Sequence, residues 1–201
     1  MALIEELQKK IGEDKQILNI YGYGSINYGT FHEKSDRDYV IIVDMKESYM
    51  EINDEKISMQ IYNQEEFMKR LNDQEIQIIE ALHKPIHEKL EIKLTVDKIK
   101  LRNSISKRVD HSYVKAKQKL TKEKDFYRAK KSLFHAFRIL DFAIQLCKYD
   151  EIKEWVHLKP LYDKIMTELP EKKDSWSVWE ETFKKQFNAL KSEFRKVAPK
   201  N

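Results

Sequence analysis

The chain has 201 residues, 41% of them apolar and 36% charged, with a net charge of +4 and one cysteine. That length can hold one large domain or two small ones with a real core, and that composition suits a soluble, rather helical protein. No run approaches 18 apolar residues, the N-terminus lacks the apolar core of a signal peptide, and Cys147 cannot form an internal disulfide, so a soluble cytoplasmic protein that does not enter a membrane is expected.

Leu3, Ile4, Leu7 and Ile11 recur at helical spacing and predict an amphipathic N-terminal helix that Gly12 ends. Ile17, Leu18, Ile20 and Tyr21 read as a short strand. A glycine-rich stretch follows, with Gly22, Gly24 and Gly29 and a Gly24-Ser25 step, then Asp36-Arg37-Asp38 running into the apolar segment Tyr39 to Val43. The predicted order is strand, Gly-Ser turn, short linking helix, and a strand whose first residues carry two carboxylates. Glycine lets a ligand approach the main chain closely, and a turn that opens a helix presents N–H groups that suit a phosphate. Asp36 and Asp38 are two apart, which on a strand turns them to one side. Two carboxylates on one face repel unless a cation is shared, and a hard divalent ion bound to substrate phosphates fills that role.

The stretch resembles the polymerase-β-like nucleotidyltransferase superfamily, whose signature is an apolar residue, Gly-Gly or Gly-Ser, a spacer, and Asp-x-Asp within a strand. Gly24, Ser25, Asp36 and Asp38 occupy those positions. The resemblance implies that Gly24 and Ser25 hold the nucleotide phosphates, and that Asp36 and Asp38 are catalytic and ligate Mg²⁺ (or Mn²⁺). The family's third carboxylate usually lies between apolar residues on the next strand, which here is Lys56 to Tyr62, and the matching residue is Gln60. Glutamine is neutral and cannot serve as a general base. Glu51 and Glu55 precede that strand as poorly aligned substitutes.

Lys46 to Glu55 is polar and reads as a connector, whereas Ile57, Met59 and Ile61 alternate as in a half-buried strand. Gln64-Glu65-Glu66 opens a helix carrying Phe67, Met68 and Leu71, and apolar content continues through Leu82 until Pro85 stops any helix. Leu90, Ile92, Leu94 and Val96 alternate and predict a last strand, after which Asp97 is a fair helix N-cap.

From about Ser104 the pattern is helical throughout. Residues 1–100 carry 14 Lys/Arg against 20 Asp/Glu, and residues 101–201 carry 24 against 14. An acidic half joined to a basic half suits a polyanionic ligand. The basic excess is concentrated between Lys107 and Lys131, with Tyr113, Phe126 and Tyr127 interleaved, a pattern shared by nucleic-acid-binding faces and ordinary solvated helices. In the following helix Leu133, Phe137, Leu140 and Ile144 form an apolar stripe, while Arg128, Lys131, His135 and Arg138 fall on a second. This second stripe, with Lys131, His135 and Arg138 as its nucleotide-binding members, is expected to face the Gly-Ser/Asp cleft and clamp a triphosphate or acceptor, or else to pair with Asp125 or Asp141. Arg128 and His135 also have the spacing of HEPN-type ribonucleases. Ser177-x-x-Glu180 has the form of a capping box ahead of a last helix, where Trp176, Trp179, Phe183, Phe187, Leu190 and Phe194 make a core stripe.

The expected fold class is α+β: a small mixed β-sheet nucleotidyltransferase core over residues 1–103, followed by an all-α helical bundle over 104–201. The expected function is metal-dependent transfer of NMP from an NTP to an acceptor, with an RNA or tRNA end favoured over protein or a small molecule. The alternatives are a nucleotide- or RNA-binding module that has lost turnover with Gln60, and an antitoxin-like or HEPN-type interaction protein.

Overall fold

The computed structural model describes residues 2–33 and 35–200, which fall into two compact units meeting at Thr95/Val96. The first opens with helix α1 (Ala2–Ile11) and contains strands β1 (Gln16–Tyr23), β2 (Arg37–Asp44), β3 (Tyr49–Asn53), β4 (Ile57–Tyr62) and β5 (Pro85–Glu88), with helices α2 (Gln64–Asn72) and α3 (Ile76–Ala81) between the last two. The sheet order is β3-β4-β2-β1-β5. Only the β2–β4 pair is parallel, so the sheet is mixed. The expected α+β class is the one observed.

β2 is central and buried on both faces, which its unbroken apolar run Tyr39–Val43 allows. Tyr39, Ile41 and Val43 join Ile57, Met59, Ile61, Leu7 and Ile11 in one core cluster beneath α1. Val40 and Ile42 point the other way, toward the side where Tyr21 and Tyr62 meet Phe67 of α2. α1 ends at Gly12, whose φ of +115° a side chain would resist, and Gln8 donates through Nε2 to the Gly12 and Lys15 carbonyls.

Three expectations for this unit need correction. The segment taken as a polar connector contains β3, an edge strand whose Met50 and Ile52 pack on the core while its Tyr49, Glu51 and Asn53 are exposed. The apolar run after Gln64 is two helices, because Gln74 takes a left-handed φ of +57° and ends α2. The last strand is Pro85–Glu88, with proline at the first position of an edge strand where no ladder donor is needed. Residues 90–96 keep an alternating half-buried pattern but have no strand partner. The reason is Asn19: its buried side chain accepts from the Lys89 and Leu90 N–H groups and donates to the Leu90 carbonyl, replacing the ladder as the chain departs.

The described part of the second unit is helical: α4 (Lys98–Gln118), a π turn (Lys119–Glu123), α5 (Phe126–Tyr149), α6 (Lys159–Glu168) and α7 (Trp176–Val197). Asp97 caps α4 as expected, accepting from the Ile99 and Lys100 N–H groups at 3.0 Å. α5 is the axis of this unit and packs on α4, α6 and α7. Its buried Lys130 donates to the Met166 carbonyl at 2.8 Å and to Glu171 at 2.9 Å, closing the C-terminal end of α6 with a positive charge. Trp176, Trp179, Phe183, Phe187 and Phe194 are buried, so the aromatic stripe is core, and Cys147 is a buried free thiol. The capping box at Ser177 is not formed, because α7 begins two residues earlier than that cap requires, with Ser175 as its cap residue. No described helix is long and apolar enough to cross a membrane.

Trp179 is 1% exposed and donates from its indole nitrogen to the Pro170 carbonyl at 3.1 Å. Trp179→Ala is expected to cost about 3–5 kcal/mol by the cavity it leaves, measured by denaturant unfolding of the full chain.

Candidate active site

The register of the central strands brings the glycine turn and the carboxylates together. In the antiparallel β1–β2 pair Tyr23 lies opposite Asp38, so the residue after β1 falls beside that carboxylate. That residue is Gly24, with φ +79°. A Cβ built on it would lie 2.1 Å from Asp38 Oδ2, an impossible approach, so glycine is required both by backbone conformation and by space.

Gly24–Ile26 is a single 3₁₀ turn closed by Asn27 N–H donating to the Gly24 carbonyl at 2.9 Å. It stands where a short linking helix is expected from the sequence. Helical geometry ends at Gly29, whose φ of +69° is left-handed, and Asn27, itself buried, turns its side-chain amide back to the Gly22 carbonyl at 3.1 Å and to the Glu80 carbonyl of α3 at 3.4 Å. Thr30 N–H donates to the Ser25 carbonyl at 3.0 Å and completes the loop.

Asp36 precedes β2 by one residue and is exposed, while Asp38 is the second residue of the strand and half-buried. Both line a cavity of about 290 Å³ together with Tyr23, Ser25, Arg37 and Lys84. Ser25, Asp36 and Asp38 are thus brought to one opening, with Gly24 packed directly against Asp38. The resemblance implies a divalent ion here, and the donor set fits one. Two hard carboxylates leave coordination positions for substrate phosphate oxygens and water, which is how Mg²⁺ is commonly held. Among the described residues no three His, Cys, Asp or Glu side chains form a metal-holding group.

Gln60 is half-buried and lies opposite Val40 in the parallel β2–β4 ladder, on the same sheet face as Asp38. Its Oε1 accepts from the Tyr62 hydroxyl at 2.9 Å and from Gln77 Nε2 at 3.3 Å, ties that anchor α3 to β4. Glu51 lies across from Gln60 on the edge strand and is exposed. It accepts from Asn53 and Tyr49, which hold its carboxyl below the ordinary range. Glu55 is exposed in the β3–β4 turn.

Sequence reasoning missed Lys84, Asn27 and Glu80. Lys84 reaches the cavity because its carbonyl accepts from Gly22 N–H at 2.8 Å, a non-local pairing that no periodicity announces. Glu80 is a fully buried carboxylate in a six-residue helix, where the sequence shows only an acid in an apolar run.

The remaining predicted residues lie on α5 in the second unit. Lys131 is half-buried with Nζ 5.5 Å from the Tyr127 ring centroid, and Arg138 is 4% exposed with its guanidinium 5.4 Å over Phe142. His135 lies between them. Burial, and after it the charges of Arg138, Lys131, Lys115 and Arg108, push the His135 pKa well below its usual value, so the imidazole is neutral at pH 7. Arg128 is exposed and pairs with Asp125 at 3.5 Å.

No curated protein matches this chain. The family description "Nucleotidyltransferase domain" matches residues 3–191, which takes in the Gly24-Ser25 turn, the Asp36/Asp38 pair and nearly all of the helical unit. With that match across most of its length, the chain belongs to the nucleotidyltransferase-domain family, a family of NMP-transferring proteins.

Proposed function

We propose that this protein is a Mg²⁺- or Mn²⁺-dependent nucleotidyltransferase that moves NMP from an NTP onto an acceptor hydroxyl, with an RNA end as the favoured acceptor. The observation that carries the reading is the contact of the Gly24 backbone with the Asp38 carboxylate, at a cavity that Ser25 and Asp36 share. In the reaction the acceptor oxygen attacks the α-phosphorus, pyrophosphate leaves, and the acceptor proton passes to solvent or to a carboxylate. Asp36 and Asp38 would hold the ion, which would supply positive charge to offset that of the phosphates. The Ser25 hydroxyl donates to a phosphate oxygen, and the close backbone at Gly24 lets the phosphates settle against the turn. Lys84 and Arg37, on the same cavity, balance further negative charge. Positioning and charge stabilisation carry most of the catalysis in phosphoryl transfer, so two carboxylates are a workable set.

A second reading, nucleotide binding without turnover, is favoured by one observation: Gln60 is a neutral residue engaged by two donors on the face that carries Asp38.

Transfer of label from each α-labelled NTP, with Mg²⁺ or Mn²⁺, onto total RNA and protein tests both readings. Wild type is expected to label RNA, and Asp36→Asn/Asp38→Asn to label nothing. Nucleotide binding with no label on any acceptor would establish the second reading instead. Gly24→Ala is expected to lower transfer at least about tenfold, since a strained turn of roughly 1–2 kcal/mol and a displaced Asp38 act together. Its thermal midpoint should move far less than that of Trp179→Ala. Lys84→Ala is expected to raise KM for the nucleotide with kcat nearly unchanged, the pattern of lost uniform binding.

A further inference from the structure

Single apolar side chains left in water are ordinary on a protein surface, whereas several gathered at one opening mark a binding surface. Among the described residues of the first unit four large apolar side chains are exposed: Ile26, Phe31, Tyr49 and Ile86. Tyr49 lies on the edge strand β3. The other three line the cavity that holds Ser25, Asp36 and Asp38. They come from three separate stretches of chain: the last residue of the 3₁₀ turn, the loop ahead of β2, and the edge strand β5. No periodicity groups them in the sequence, so the grouping belongs to the folded site.

Main-chain bonds fix this rim. Phe31 stands between two closures of the loop. On one side Thr30 N–H donates to the Ser25 carbonyl at 3.0 Å. On the other, His32 N–H donates to Ser35 Oγ at 3.1 Å and Ser35 N–H returns to the His32 carbonyl at 2.8 Å. Ile86 is placed by the pairing of β5 with β1. Its Cδ1 stands 3.7 Å from the point where a Cβ on Gly22 would lie, and Lys84 Cδ stands 3.6 Å from the same point. An apolar side chain and the stem of an ammonium therefore lean together over the bare backbone of Gly22.

The cavity thus combines two chemistries. Ser25, Asp36, Asp38 and Lys84 offer a hydroxyl, two carboxylates and an ammonium, which suit a metal-bound polyphosphate. Ile26, Phe31 and Ile86 carry no hydrogen-bonding group on their side chains and offer one aromatic and two aliphatic surfaces. A nucleoside triphosphate has both counterparts in one molecule, a charged tail and a flat base. At about 290 Å³ the cavity is on the scale of a small-molecule site rather than a groove for a polymer.

We propose that the rim of Ile26, Phe31 and Ile86 receives the base of the incoming nucleoside triphosphate, with the Phe31 ring stacked on the base and the two isoleucines bounding it. This deepens the reading above and rests on it for the nucleotide as ligand. Every base has a π face, and the three side chains have no donor or acceptor with which to read a base edge. The rim therefore holds purine and pyrimidine nucleotides alike.

The test is isothermal titration calorimetry of the full chain with ATP, UTP and inorganic triphosphate, each in the presence of Mg²⁺. Wild type is expected to bind ATP more tightly than triphosphate. Phe31→Ala should weaken ATP and UTP about tenfold, the scale of one lost stack, and change triphosphate less than about twofold. Phe31→Trp keeps a stacking ring and should bind ATP within about twofold of wild type. Equal losses for ATP and triphosphate in Phe31→Ala would make the ring a brace for the loop and overturn the proposal. Unchanged ATP binding with a raised KM for the acceptor would assign the rim to the acceptor and overturn it too, as would a loss confined to one of the two nucleotides. Ring-dependent ATP binding with no label on any acceptor would sink the activity alone, whereas intact transfer with ATP binding indifferent to Phe31→Ala would sink this proposal alone.

Discussion

The approach of the Gly24 backbone to the Asp38 carboxylate is the constraint on which the first unit is arranged. It requires β1 and β2 to pair in one register, so that the end of one strand meets the second residue of the other. It also requires a residue without a side chain at a left-handed φ. A slip of one residue would turn every β2 side chain to the opposite face, bringing Tyr39 to the site and Asp38 beneath α1. The double-sided burial of Tyr39–Val43 therefore does more than stabilise the sheet: it holds the carboxylate in position.

Each unit uses a small number of buried polar side chains where main-chain pairing ends. Asn19 takes over from the β1–β5 ladder, Asn27 braces the glycine turn, and Lys130 closes α6. All three meet backbone groups that would otherwise be left in apolar surroundings, a loss of about 1–3 kcal/mol for each unsatisfied group. They are also positions where a purely apolar substitution would disturb chain direction rather than packing.

How much of this was legible in the sequence depends on whether the signal was local. The Gly-Ser step, the Asp-x-Asp run and the apolar strand after it are contiguous, so the Asp36/Asp38 pair could be read from spacing and Ser25 from the family resemblance that the same stretch carries, and all three line the cavity. The α1 periodicity, the β4 alternation, the Asp97 cap and the aromatic stripe of α7 were legible for the same reason. The failures at β3, at residues 90–96 and at Lys84 and Glu80 have a non-local cause. β3 is polar on one side because it is an edge, and its apolar side needed knowledge of the partner strand. The alternation at residues 90–96 gave a correct extended chain, but only Asn19, some seventy positions earlier, decides that it has no ladder. Lys84 reaches the neighbourhood of the glycine turn through backbone pairing with Gly22, and Glu80 through its carbonyl's bond from the Asn27 side-chain amide, neither of which leaves a trace in composition.

The Asn27 side chain has a mechanical consequence. One amide nitrogen spans the carbonyls of Gly22 on the sheet and Glu80 on α3, so the glycine loop is suspended between two elements rather than hinged on one. α3 is in turn tied to β4 through Gln77 and Gln60. A displacement of β4 can therefore reach the loop through α3 and the hydrogen bonds that tie this helix to Gln60 and to Asn27. The loop that would grip phosphates thus shares its rigidity with a helix whose own side chains line none of the cavity.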